Sequence, residues 1–159
     1  MTRPTSLPER KSPRLREFDY RSNFGVFVIV CLHARTPLFG TIRSDATLEQ
    51  TKIGDMIATT WMAVGDQFAS VLLDDFIVMP DHLHALITID SGSNEGVPPS
   101  LGEIIGWFKG RSTYQYSVVV KTRGWPAYSD SFWQRSFHDH IIRHDHDLDA
   151  RRLYIERNP

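Results

Sequence analysis

The sequence predicts an α+β protein, a largely antiparallel sheet with helices packed on it. Apolar runs at 71–79 and 82–89 flank Pro80-Asp81, which is the pattern of an antiparallel hairpin. Separate stretches repeat apolar residues at helical spacing. The elements follow the order β-β-α-β-β-α-β-α, without the run of βαβ units that a parallel sheet needs. At 159 residues the chain is long enough to bury one core. It shows no internal repeat, and it divides into a basic N-terminal arm, 1–22, and a single domain, 23–159.

In order, the arm holds Arg10-Lys11-Ser12-Pro13-Arg14-Leu15-Arg16 and reads as irregular chain. The run 24–32 is almost continuously apolar and rich in β-branched residues, so it reads as a central strand. A short second strand falls in 37–43. Thr47, with Gln50 three residues on, predicts a capped helix. Its apolar face is Ile53, Met56, Ile57, Trp61, Val64 and Phe68, with Trp61 as core. The two hairpin strands follow, then a Gly- and Pro-containing loop over 91–100. Leu101, Ile104, Ile105 and Phe108 predict a helix to about 118, with a loop from 121 to 131. Residues 132–143 read as an approach and a strand. Asp145 or Asp147 then caps a last helix carrying Leu148, Leu153, Tyr154, Ile155 and Asn158.

Composition is that of an ordinary globular protein, 41% hydrophobic and 23% charged. The single cysteine, Cys31, excludes an intrachain disulfide and suits a reducing compartment. No apolar run approaches the roughly 20 residues of a membrane span, and no signal-peptide segment opens the chain; a cytoplasmic setting is expected. Net charge is −1, which by itself does not favour a nucleic-acid partner. Its distribution does: 1–22 carries six basic and three acidic residues, 100–125 four and one, and 45–95 one and nine. Basic ends and an acidic middle leave local patches for phosphates.

The chemistry concentrates in His82-Leu83-His84. On a strand, residues i and i+2 share a face, so the two imidazoles project side by side. Neutral imidazoles held that way grip a divalent metal. His138/His140 and His144/His146 share the spacing, and spacing alone does not choose among the three. The 82/84 pair has the strand-forming neighbours and the apolar residue between. On the last helix, Leu153, Tyr154 and Ile155 span about 200° of arc. If both aliphatics pack down, Tyr154 faces the sheet, with Asn158 one turn on. Two imidazoles and an amide oxygen around a hard cation, with a phenol in reach, suit phosphodiester cleavage. A tyrosine between two aliphatics on a helix is usually just core.

Four stretches in order carry a resemblance: Met79-Pro80-Asp81-His82-Leu83-His84, Gly106-Trp107-Phe108-Lys109, Trp133-Gln134-Arg135-Ser136-Phe137-His138-Asp139-His140-Ile141-Ile142-Arg143, and Tyr154-Ile155-Glu156-Arg157-Asn158-Pro159. They resemble the REP-associated tyrosine transposases, single-tyrosine relatives of the HUH (histidine, hydrophobic, histidine) endonucleases. The resemblance implies a ferredoxin-like core with a central antiparallel sheet. It implies Mg²⁺- or Mn²⁺-dependent nicking and rejoining of single-stranded DNA, often at hairpins, through a 5′-phosphotyrosine. The family's metal histidines fall on His82 and His84, its nucleophile on Tyr154 and its third, helix-borne ligand on Asn158. The partner implied is single-stranded or hairpin DNA, met at the nucleoid by a monomer or homodimer. Relatives usually carry tyrosines where Phe137 and His138 stand, and they often run on beyond the position of Pro159.

Other readings use the same residues differently. One is a domesticated DNA-binding protein that no longer cleaves. Another is a metal phosphodiesterase using water, with Tyr154 as core. A ferredoxin-like RNA-binding module would need aromatic residues on an exposed sheet face, and Phe27 and Phe76 sit among apolar neighbours. By charge and place, Arg14, Arg16, Lys109 and Arg111 are the candidate DNA contacts. Tyr114 and Tyr116 suit base stacking or internal packing alike.

Overall fold

β1 (Asn23–Cys31) is the strand around which the sheet is built. In the computed structural model, which describes residues 23–90 and 97–158, β1 pairs antiparallel with β5 (His82–Asp90) on one side and β6 (His138–Ile142) on the other. β4 (Val71–Met79) completes the order β4-β5-β1-β6. The helices α1 (Lys52–Gln67) and α2 (Leu101–Arg123) complete a β-α-β-β-α-β unit, the ferredoxin-like arrangement. A two-stranded sheet of β2 (Gly40–Ile42) and β3 (Leu48–Gln50) is inserted before α1. A third helix, α3 (Asp145–Arg157), follows β6. The arm with Arg14 and Arg16, and most of the 91–100 loop, lie outside the described residues.

Alternation along the strands divides the core into two layers. Val26, Val28 and Val30 of β1, with Leu83, Ala85 and Ile87 of β5, face α1 and α2. Ile57, Trp61, Ile104 and Phe108 meet them there, all fully buried. Phe27 and Leu86 face the other way, toward Leu148 and Ile155 of α3. Phe27 and Phe76 are thus both core residues, which removes the exposed stacking platform that an RNA-binding sheet would need.

Several local expectations are corrected. Thr47 does not cap a helix; its amide and hydroxyl both donate to the Asp45 carboxylate, and the chain continues into β3. The cap of α1 is Thr51, whose hydroxyl accepts from the Gly54 amide. Gly54 is required there, because a Cβ would lie 2.2 Å from the Phe39 carbonyl oxygen. α2 runs on to Arg123, beyond the expected end near 118. It opens on a Ser100–Glu103 capping box and closes on Gly124 in the left-handed region. α3 is capped by His144, whose Nδ1 accepts from the Asp147 amide at 3.1 Å, and not by Asp145 or Asp147.

Candidate active site

His82 and His84 occupy the first turn of the pleat in β5, just after the Pro80-Asp81 turn, and both face the α3 layer. The register sets Cys31 opposite His82 and Ile29 opposite His84. The two imidazoles converge, with their Nε2 atoms 2.7 Å apart and ring centroids 4.6 Å apart. Asp81 explains the orientation of the first ring: its carboxylate lies 2.5 Å from His82 Nδ1. That carboxylate is held in turn by Arg35, 2.9 Å from the other oxygen. A proton fixed on Nδ1 by Asp81 leaves the His82 Nε2 lone pair aimed at His84.

His84 is buried, and its Nδ1 has no hydrogen-bond partner. Burial, and then the neighbouring His82 ring, hold its pKa down to about 4. It is therefore a neutral imidazole at ordinary pH, the form that ligates metals. At that separation the Nε2–H of a neutral His84 donates to the His82 Nε2 lone pair. The pair fits a divalent cation. Among the described residues, no group of three His, Cys, Asp or Glu side chains could hold a metal, so further donors at this site must be of other kinds.

Tyr154 comes to the same place from α3. Its ring lies 5.5 Å from His84 and 6.0 Å, edge-on, from Phe27. The expectation that Leu153 and Ile155 both pack down is corrected: Leu153 is 43% exposed. The buried stripe of α3 is Leu148, Arg152 and Ile155, so Tyr154 stands on its flank, 49% exposed. A half-open phenol beside the imidazoles is better placed for an incoming substrate than a buried one. Asn158 follows one turn later. Its amide Nδ2 donates to the Tyr154 carbonyl at 2.9 Å, which closes the end of the helix.

The ion pair that sets α3 in place was not singled out from the sequence. Arg152, 1% exposed, donates through Nε and Nη2 to Asp74 of β4 at 3.0 and 2.7 Å. Burial works against its charge, but the Asp74 hydrogen bonds and carboxylate raise its pKa above the ordinary guanidinium value. Asp74 falls where β4 slips register against β5, between Leu73 and Phe76. An acidic pair inside an apolar strand was the available signal. Arg151 was missed as well; its guanidinium stands over Phe27, 5.1 Å from the ring centroid, one turn before Tyr154.

The remaining histidines have other partners or places. His140 bonds the Asp147 carboxylate at 2.9 Å, His144 caps α3, and its ring stacks on His146. His138 is exposed, in register with Ile29 across from His84. Of the candidate DNA contacts, Lys109 is committed internally, donating to the Gln134 and Ser136 carbonyls at 2.7 and 3.0 Å. Arg111 is exposed. Tyr116 is core, its hydroxyl donating to the Pro126 carbonyl, whereas Tyr114 is 65% exposed.

The model of the IS200-like transposase family matches residues 38–158, a span that includes both histidines and Tyr154. The chain belongs to the IS200-like transposase family. It is also similar to an uncharacterised protein of Haemophilus influenzae, 28% identical over 171 residues, covering 96% of this chain and 89% of that one. Among solved structures, it resembles a REP-associated tyrosine transposase bound to a REP hairpin, with a TM-score of 0.61 at 20% identity. That match covers 86% of this chain and 66% of the other, so this chain spans a little under two thirds of that protein's length. A candidate transposase of Deinococcus radiodurans R1 matches with a TM-score of 0.56 at 16% identity, covering 90% and 95%. At such identities the two structures speak for the fold, and the expected ferredoxin-like HUH core holds. No helix among the described residues is long and apolar enough to cross a membrane.

Proposed function

We propose that this family member cuts and rejoins single-stranded DNA, at hairpin-forming sequences, with Tyr154 as the nucleophile. The observation that carries the reading is the convergence of three side chains from two elements. The His82 and His84 Nε2 atoms meet at 2.7 Å, and the half-exposed Tyr154 ring stands 5.5 Å from His84. His82 and His84 would hold Mg²⁺ or Mn²⁺, with Asn158 Oδ1 as the third protein donor. Such a cation, when bound, offsets charge on the scissile phosphate and its transition state. The hairpin preference is supported by the resemblance to the hairpin-bound relative.

Tyr154 Oη attacks phosphorus, loses its proton to solvent and forms a Tyr–O–P bond. The P–O3′ bond breaks, and the departing oxygen takes up a proton to become a 3′-hydroxyl. The 5′-phosphate stays on the protein as an ester, which keeps the bond energy for rejoining when a 3′-hydroxyl attacks in reverse. Phe27 supports the Tyr154 ring edge-on, and Arg151 brings a cation to the same face for a neighbouring phosphate. The exposed Arg111 is a further backbone contact.

The test is incubation with single-stranded hairpin DNA labelled on the 5′-phosphate side of the cut, with Mn²⁺, followed by denaturing electrophoresis. A labelled protein band that disappears in Tyr154→Phe is expected. Cleavage that survives Tyr154→Phe would identify a phosphodiesterase using water. Binding without any cleavage would identify a domesticated DNA-binding protein.

A further inference from the structure

Away from the histidines, on the α2 side of the sheet, a groove of about 570 Å³ runs between α2 and the 128–135 segment. Tyr114 and Tyr128 stand on its walls, with Arg135 and Asp130 at the rim. Its floor is firm. Phe132 and Trp133 are buried, and the Trp133 indole donates to Ser112 of α2 at 2.9 Å. Lys109 ties the Gln134 and Ser136 carbonyls to α2. Tyr128 is held by Tyr116 and Phe132, with ring centroids 6.1 and 5.6 Å away, and its hydroxyl pairs with Ser117 at 3.2 Å. Asp130 takes a φ of 61° there, a conformation uncommon for a residue with a side chain.

We infer that this groove binds unpaired nucleotides of the DNA beside the cut, stacking bases on Tyr114 and Tyr128 and pairing a phosphate with Arg135. Aromatic faces with a neighbouring cation are how proteins hold single strands, since every base has a π-face. A rigid Tyr128 and a solvent-facing Tyr114, 37% and 65% exposed, supply those faces. Of the charged residues lining the groove, Lys109 and Arg135 are basic and Asp130 is acidic; Lys109 is held by backbone carbonyls, which leaves the exposed Arg135 as the cation for a phosphate.

Position links the groove to the cut. Gln134 donates its amide to the Cys31 carbonyl at 2.9 Å, and Cys31 is paired with His82. The groove's floor is thus two strand spacings from the first histidine, about 10 Å. A few nucleotides of extended chain, passing round this end of the sheet, span that distance.

The inference rests on the proposal that the protein acts on single-stranded DNA, and the experiment separates the two. In a Tyr154→Phe background, so that the DNA stays intact, anisotropy gives Kd for a labelled hairpin with a single-stranded flank of about ten nucleotides. The same hairpin without the flank is measured at equal salt. Tyr114→Ala and Arg135→Gln are each expected to weaken binding of the flanked hairpin by about ten-fold. They should leave the bare hairpin within about two-fold, and Tyr114→Phe should retain the flanked affinity. Equal losses on both probes, or no loss on either, overturn the groove while DNA binding stands. A Tyr154→Phe protein that binds neither probe removes the DNA reading itself, and the inference with it.

Discussion

The two faces of this sheet are built by different rules. Under α1 and α2 the face is aliphatic and aromatic, and two long helices close it. The face under α3 is covered by one helix of 13 residues. Its cover is narrow enough to leave His82 and Tyr154 at an open rim. Its few apolar contacts are supplemented by a buried charge pair, Arg152 with Asp74. The first face supplies stability that needs no particular chemistry. The second gives up part of its packing to bring a buried imidazole, a part-buried one and a half-exposed phenol together at its edge.

The largest effect that would sharpen this contrast is on Arg152. Arg152→Met leaves Asp74 buried without its partner and should cost about 3–5 kcal/mol, read from urea unfolding. Asp74→Leu with Arg152→Met should recover most of that stability, because the pair's desolvation cost disappears with both charges. If the single change costs nothing, α3 is held by something other than the ion pair.

Next comes Asp81. Asp81→Asn removes the carboxylate that orients His82 and should weaken Mn²⁺ binding by about 10- to 100-fold, measured by calorimetry. Asparagine keeps a side-chain oxygen for the half-exposed Arg35, so unfolding free energy should move little. An equal loss of both would mean that the Pro80-Asp81 turn, and not the histidine, depends on this residue.

The smallest effect is a pH dependence in the absence of metal. His84 titrates near 4 in the folded protein, below the ordinary 6.5 or so of an unfolded histidine. Between those values the unfolded chain binds more protons, so stability is complete above about pH 6.5 and declines as pH falls toward 4. Urea midpoints at pH 7 and 4.5 should differ less in His84→Phe than in the native chain. An unchanged difference would place the acid sensitivity elsewhere.

Much of this was legible in the sequence, for reasons that differ by element. The hairpin and its bounds followed from two apolar runs and one Pro-containing turn, because strand length and turn chemistry are local. The helix starts were less legible: Thr47 has the cap pattern, but Asp45 is two residues away and takes its hydrogen bonds. The convergence of Tyr154 with the histidines depends on α3 lying across β1 and β5, which no local pattern encodes. The helix spacing offered it only on the condition that Leu153 and Ile155 both pack down, and the resemblance implied it independently. The faces of α3 were misjudged because an arginine, Arg152, occupies the buried stripe where an aliphatic residue would be expected. Of the three His-x-His pairs, 82/84 was the one distinguished by the apolar residue between, and that residue, Leu83, is fully buried in the opposite layer. The exposed half of Tyr154 had no local signal.

The most direct measurement is the rate of covalent protein–DNA adduct formation against Mn²⁺ concentration, for native protein, His84→Ala and His140→Ala. The account predicts the same saturation curve for native protein and His140→Ala, and no Mn²⁺-dependent adduct for His84→Ala. Adduct forming at the native rate in His84→Ala, or lost only in His140→Ala, would contradict it.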